Sequence, residues 1–163
     1  MAKISSIVNN YTPVAVADAT NFTSGGFHAI QGGSSTQYNK ILDFYLGGLA
    51  AASAPAQMIF ARDSTVGATL SGGTQAATSP YTAALAAPPV GFGTATTKPQ
   101  RSATLYLFAP GFNAFGGIVR VQLPPGEEWG MSGNTASLGE ISLSHGAAGT
   151  PGLMTSTIIF EPD

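Results

Sequence analysis

The feature that most constrains this chain is its punctuation: short apolar runs of strand length, cut at close intervals by clusters of Gly, Pro and Ser. From Gly25 onward many of these runs alternate with a period of two, which sends successive side chains to opposite faces of a strand. Val119, Val121 and Leu123 alternate with Arg120 and Gln122, and Leu42, Phe44 and Leu46 alternate with Asp43 and Tyr45. In "LGEISLS", Ile141 and Leu143 fall on one inward side. Residues 57–62, the run "SATLYLFA" at 102–109 and the ending "LMTSTIIFE" at 153–161 complete the set. The run at 102–109 is apolar on both faces, as a central strand is. Strands of this length between turn signals predict an all-β fold, a jelly-roll-like antiparallel β-sandwich.

A chain of 163 residues fits one domain with a sizeable core. Residues 1–24 read differently from the rest: "ISSIVNNYTPVAVADATNF" has spaced aliphatics, no helical period and Pro13. This predicts an extended N-terminal arm that lies along a neighbour or adds a strand to its sheet; the alternative is a strand packed on its own domain. As an arm, its apolar anchors to a partner are Ile4, Ile7, Val8, Tyr11, Val14 and Val16, and deleting residues 1–20 leaves the sandwich folded. Residues 25–163 form the sandwich domain, with a loop and short-helix insertion at 63–101. Ser79 caps that helix, Pro80 suits its first position, and Pro88-Pro89 stop it.

Composition narrows the function. Six basic and eight acidic residues make the chain 9% charged, against about 25% for an ordinary domain. Small neutral polar groups must therefore cover most of the surface, and a surface with so little self-repulsion points to coverage by partners in an assembly. The net charge of −2 supplies no basic stripe for direct nucleic-acid binding and no polybasic patch for a membrane surface. Cys is absent, which removes disulfides and thiolate chemistry. The start "MAKISSIVNNY" lacks the apolar core of a secretory signal. Phe44–Ala61 is uncharged and meets the roughly 18-residue length of a membrane span, but its Gly47-Gly48, Ser53, Pro55 and Gln57 fit two buried strands around an Ala/Pro turn better.

No catalytic, cofactor or metal constellation is complete. Glu127 and Glu128 are adjacent, so in a strand they leave from opposite faces, whereas an acid pair flanking one bond faces across roughly 5–9 Å. They follow Pro125 and Gly126, which suit the central positions of a type II turn. His28 and His145 have only scattered acids such as Asp18, Asp63 and Glu140 to recruit, and no metal-ligand spacing joins them. There is no G-x-S-x-G elbow, and the Gly-rich loops lack the G-K-[ST] ending of a phosphate cradle. Trp129, the only tryptophan, sits at a hairpin exit as a core residue or a contact edge. The chain is not expected to be an enzyme or to need a cofactor.

Three stretches also carry a resemblance: "FYLGGLAAASAPAQMIFARDSTVG" (44–67), "FNAFGGIVRVQLPPGEEW" (112–129) and "GTPGLMTSTIIFEP" (149–162). In these, about a third of the chain, the sequence resembles the head decoration, or cement, proteins of tailed bacteriophages. The resemblance implies a compact β-rich fold, commonly a homotrimer, on the outer surface of the capsid. There it sits over junctions of the major capsid protein at local three-fold positions and reinforces the shell, with no catalytic residues. Two other classes fit the same patterns. One is a self-assembling jelly-roll coat protein, although the chain has no basic inner arm. The other is a glycan-binding sandwich of a fibre or adhesin, with Trp129 or Tyr81 as its platform.

Overall fold

A computed structural model describes residues 4–13, 28–70, 75–76, 90–93, 95–135 and 138–162. Among them there is no helix; the predicted helix at 79–87 and the anchors Val14 and Val16 lie outside the described residues. The strands are β1 (Ser5–Tyr11), β2 (His28–Gln31), β3 (Tyr38–Gly48), β4 (Pro55–Thr65), β5 (Ala68–Leu70), β6 (Gln75–Ala76) and β7 (Val90–Phe92). They continue as β8 (Ala95–Thr97), β9 (Gln100–Phe108), β10 (Gly111–Asn113), β11 (Ile118–Gln122), β12 (Trp129–Ser132), β13 (Glu140–Gly149) and β14 (Met154–Pro162).

These strands form an antiparallel, jelly-roll-like sandwich. The first sheet runs β1-β14-β3-β11, with β12 also on β3; the second runs β10-β4-β13-β2-β7-β6, with β9 also on β4. A separate ribbon joins β5 to β8. The chain crosses between the two sheets from β1 through β4 and again from β12 to β14, so the apolar faces of both sheets close on one core. Phe44 of the first sheet and Phe60 of the second meet with ring centroids 4.0 Å apart, and Trp129 lies 5.5 Å from Phe44 and 5.9 Å from Phe60. Such aromatic contacts add about 0.5–1.5 kcal/mol each beyond the area they bury.

The alternation read from Ile141, Leu143, Val119 and Val121 is what the fold uses: the first two are fully buried and the second two line the core's rim. The 63–101 span, read as a loop with a helix, contributes β5 to β8, and β6 and β7 extend the second sheet.

Three other expectations need correction. Residues 5–11 are not separate from the sandwich: β1 pairs with β14 over its whole length, from Ser5↔Phe160 to Tyr11↔Met154. Ile7 and Tyr11 are buried in the core, and Ile7 Cγ2 occupies the place where any side chain on Gly91 would begin, 2.0 Å from an ideal Cβ there. Deletion of residues 1–20 therefore removes an edge strand and two core side chains. Leu42 does not share a face with Phe44 as its spacing suggests. A bulge shifts the β14 register from Ile159↔Asp43 to Phe160↔Ile41, so Ile41 and Phe44 both turn inward and Leu42 drops out of phase. Finally, β9 is an edge strand and not a central one. Among the described residues it pairs only with β4, through repeated register shifts, and it leaves Leu105 and Tyr106 exposed.

The Leu42 bulge also places the Pro-Pro-Gly turn. β11 pairs with β3 up to Gln122↔Asp43, Leu123 N–H donates to the Leu42 carbonyl at 2.8 Å, and β12 resumes on β3 at Trp129↔Ile41. Between them Glu127 N–H donates to the Pro124 carbonyl at 2.9 Å around Gly126, whose φ of 94° only glycine adopts without strain. This is the type II turn expected from Pro125-Gly126. Glu128 turns back to accept from the Gly126 N–H at 2.8 Å, so it stabilises the turn.

Candidate interaction site

The topology brings three segments to one end of the sandwich: residues 48–54 after β3, 109–117 around β10, and 146–153 at the end of β13. Backbone hydrogen bonds tie them together. Gly48 N–H donates to the Gly117 carbonyl at 2.8 Å, Leu49 to Leu153 at 3.0 Å, Ala50 to Ala114 at 2.9 Å, Ala114 to Ala54 at 3.0 Å and Thr150 to Pro55 at 2.7 Å. Asn113 completes the join, its Oδ1 accepting from Ala54 N–H and Phe115 N–H, each at 3.0 Å. Small residues permit this close approach, and these hydrogen bonds hold the three loops together.

The surface of this end is apolar. Leu49, Phe115, Ile118 and Leu153 are exposed at 50%, 57%, 80% and 43%. An open hollow of about 480 Å³ adjoins it on the second sheet, lined by Pro55, Ala56, Gln57, Gly111, Phe112, Asn113 and Gly149. Residues 44–61, 102–119 and 141–160 contain no Lys, Arg, Asp or Glu. Their strands converge here, so the nearest described charges along β3 and β11 are Asp43 and Arg120, midway along those strands. Single exposed apolar residues need no explanation, but a cluster on a charge-free, hydrogen-bonded surface is a candidate interaction site.

The residues singled out from the sequence divide between surface and interior. Val8 on β1 and Ile4 just before it are exposed, whereas Ile7 and Tyr11 are already used by the core. Trp129 is half-buried against Phe44 and Phe60, so its ring is a core element with one rim open to solvent.

Both histidines are buried. His28 shares a hydrogen bond between Nδ1 and the Ser156 hydroxyl, and its ring lies 6.2 Å from that of Tyr11. Burial pushes the His28 imidazole down to about 3, which keeps it neutral, and pushes the Tyr11 phenol up. Among the described residues no three metal-ligating side chains gather at one point.

Sequence reasoning missed a polar row on the outer face of the second sheet. Gln31↔Glu140 are paired on β2 and β13, Ile141↔Arg62 sets Glu140 opposite Asp63 on β4, and Asp63↔Arg101 are paired on β9. Glu140, Asp63 and Arg101 are all buried. The Asp63 carboxylate accepts from the Ser142 hydroxyl at 2.5 Å, and Arg101 Nη1 donates to Ser144 Oγ at 2.6 Å. Glu140 Oε2 accepts from Gln31 Nε2 at 2.8 Å and from Gly67 N–H at 3.1 Å. Burial raises both carboxyl pKa values, and for Glu140 the neighbouring Asp63 raises it further; Ser142, Arg101 and the Glu140 contact partly offset the rise at Asp63. The one available signal was the polar set Glu140, Ser142 and Ser144, opposite Ile141 and Leu143 on β13.

No protein-family model and no curated protein matches this chain.

Proposed function

We propose that the chain is a structural virion protein, a decoration or cement protein that binds the assembled head of a tailed bacteriophage from outside, as an oligomer, and stabilises it. The observation that carries this reading is the charge-free end, where Leu49, Phe115, Ile118 and Leu153 stand on loops already fixed by hydrogen bonds. A rigid apolar surface loses little conformational entropy on docking, which favours binding to a fixed lattice. The resemblance of residues 44–67, 112–129 and 149–162 to decoration proteins points the same way. In this reading the partners are the major capsid protein and further copies of the chain, as a homotrimer.

The mechanism is linkage. A protein that binds the assembled shell and not its free subunits stabilises the shell by mass action. Three copies joined at a local three-fold multiply modest contacts through effective concentration. The test is light scattering of the purified protein, followed by thermal rupture of empty expanded heads, assembled from the same virus's coat protein, with and without it. The expected results are a trimer and a raised rupture temperature. A monomer that leaves the rupture temperature unchanged contradicts the proposal.

A further inference from the structure

The buried row of Gln31, Glu140, Asp63 and Arg101 has a charge balance with a consequence. The Asp63 and Glu140 carboxyls are within hydrogen-bonding reach of each other, and no other described donor reaches Asp63 Oδ2. Two carboxyls on neighbouring strands, next to the Ile141↔Arg62 pair and shut away from water, cannot both ionise at low cost beside a single guanidinium. One proton held between them leaves one negative charge to balance Arg101, and the row is neutral.

The groups facing the pair are few. β4 presents Asp63 itself, β13 presents Glu140 with Ser142 and Ser144, β2 presents Gln31, and β9 presents Arg101, whose guanidinium lies 5.4 Å from the Tyr106 ring centre. Lys98 is half-buried in the segment leading into β9, and β5 and β8 carry no titratable residue. His28 and Arg62 leave their strands from the opposite face, His28 toward Ser156 and Arg62 toward the Gly130 carbonyl at 2.6 Å. Gly67 is the point at which the chain crosses from β4 to β5, and Glu140 holds it through the backbone N–H.

We propose that Asp63 and Glu140 form a pH-operated latch on this crossing: while they share one proton Glu140 holds Gly67 against the outer face of the second sheet, and loss of the proton releases it. Deprotonation leaves two carboxylates against one Arg101, and the cheapest relief is for Glu140 to swing toward water, taking its acceptor away from Gly67. The sign follows from both groups being easier to protonate in the fold than in the unfolded chain. The stabilisation is fully present below the ordinary carboxylate range and is lost progressively as pH rises from there through neutrality.

The test is amide hydrogen exchange by NMR on the full chain between about pH 5 and about pH 9, corrected for the intrinsic base-catalysed rate. Protection at Gly67 is expected to fall by up to roughly tenfold per pH unit above the ordinary carboxylate range and to level off once the shared proton is gone, while Leu143 and Phe44 keep theirs. Glu140→Gln, which accepts from Gly67 and donates to Asp63 at every pH, is expected to leave Gly67 protection flat. Asp63→Asn, which keeps the Ser142 bond and donates to Glu140, serves the same purpose if Glu140→Gln does not fold. Gly67 protection that is flat in the unaltered chain, or that falls equally in either folded variant, overturns the proposal.

Discussion

At one end of the sandwich, residues 48–54, 109–117 and 146–153 are laced by backbone hydrogen bonds and present Leu49, Phe115, Ile118 and Leu153 to solvent with no charge among them. Away from that end the same strands pair several of the chain's few charges on their outer faces, most of them buried. Asp43 takes two hydrogen bonds from Arg120, at 2.8 and 3.1 Å, and Asp63, Glu140 and Arg101 lie in one buried row. The difference teaches that scarcity of charge is a pattern here and not merely a composition. Charges fix one part of the fold, and their absence leaves the opposite end apolar and exposed.

The comparison can be broken most severely at the buried row. Arg101→Met removes the only described cation facing the two carboxyls, and stability at neutral pH is expected to fall by about 3–5 kcal/mol in urea unfolding. Because the pair's pKa values are raised, the loss should shrink at about pH 5, where the second carboxyl takes up its proton. A loss independent of pH would show that Arg101 acts by packing alone.

Between the two ends, His28 tests the interior. Its imidazole, held neutral by burial down to about 3, charges readily only in the unfolded chain, so stability is lost as pH falls from the ordinary histidine range toward 3. At about pH 4.5 the loss is on the order of 2–3 kcal/mol. His28→Gln should begin less stable at neutral pH and lose less on acidification, read as a flatter melting temperature against pH.

A smaller effect is expected at the Pro124–Glu127 turn. Gly126→Ala forces a Cβ into φ 94° and should cost about 1–2 kcal/mol without changing the surface of the charge-free end. Attachment to heads by this variant should match that of the unaltered protein.

Much of this architecture was legible where neighbours in sequence decide it. Val119 and Val121, Ile141 and Leu143, and the Pro125-Gly126 turn declare themselves through period-two alternation and local backbone geometry. Leu42 was not legible, because its bulge arises from the register of β14, more than a hundred residues away. Nor was the edge position of β9, since an apolar run reads alike in a central strand and at an edge, nor the incorporation of β1, since an arm and an edge strand share the same local pattern. The charge-free segment 44–61 could be seen in the sequence, but only the fold joins it to 109–117 and 146–153. The Asp63–Glu140 pair was invisible for the same reason: strand pairing, not spacing, sets them side by side.

The most direct test of the charge-free end as the docking surface is sedimentation of empty expanded heads with the unaltered protein and with a Phe115→Asp, Ile118→Asp double variant. Both side chains are largely exposed, so the variant should melt as the unaltered protein does. The account predicts that the unaltered protein pellets with the heads and the folded double variant stays in solution. Equal pelleting of the two, or no pelleting of either, would contradict it.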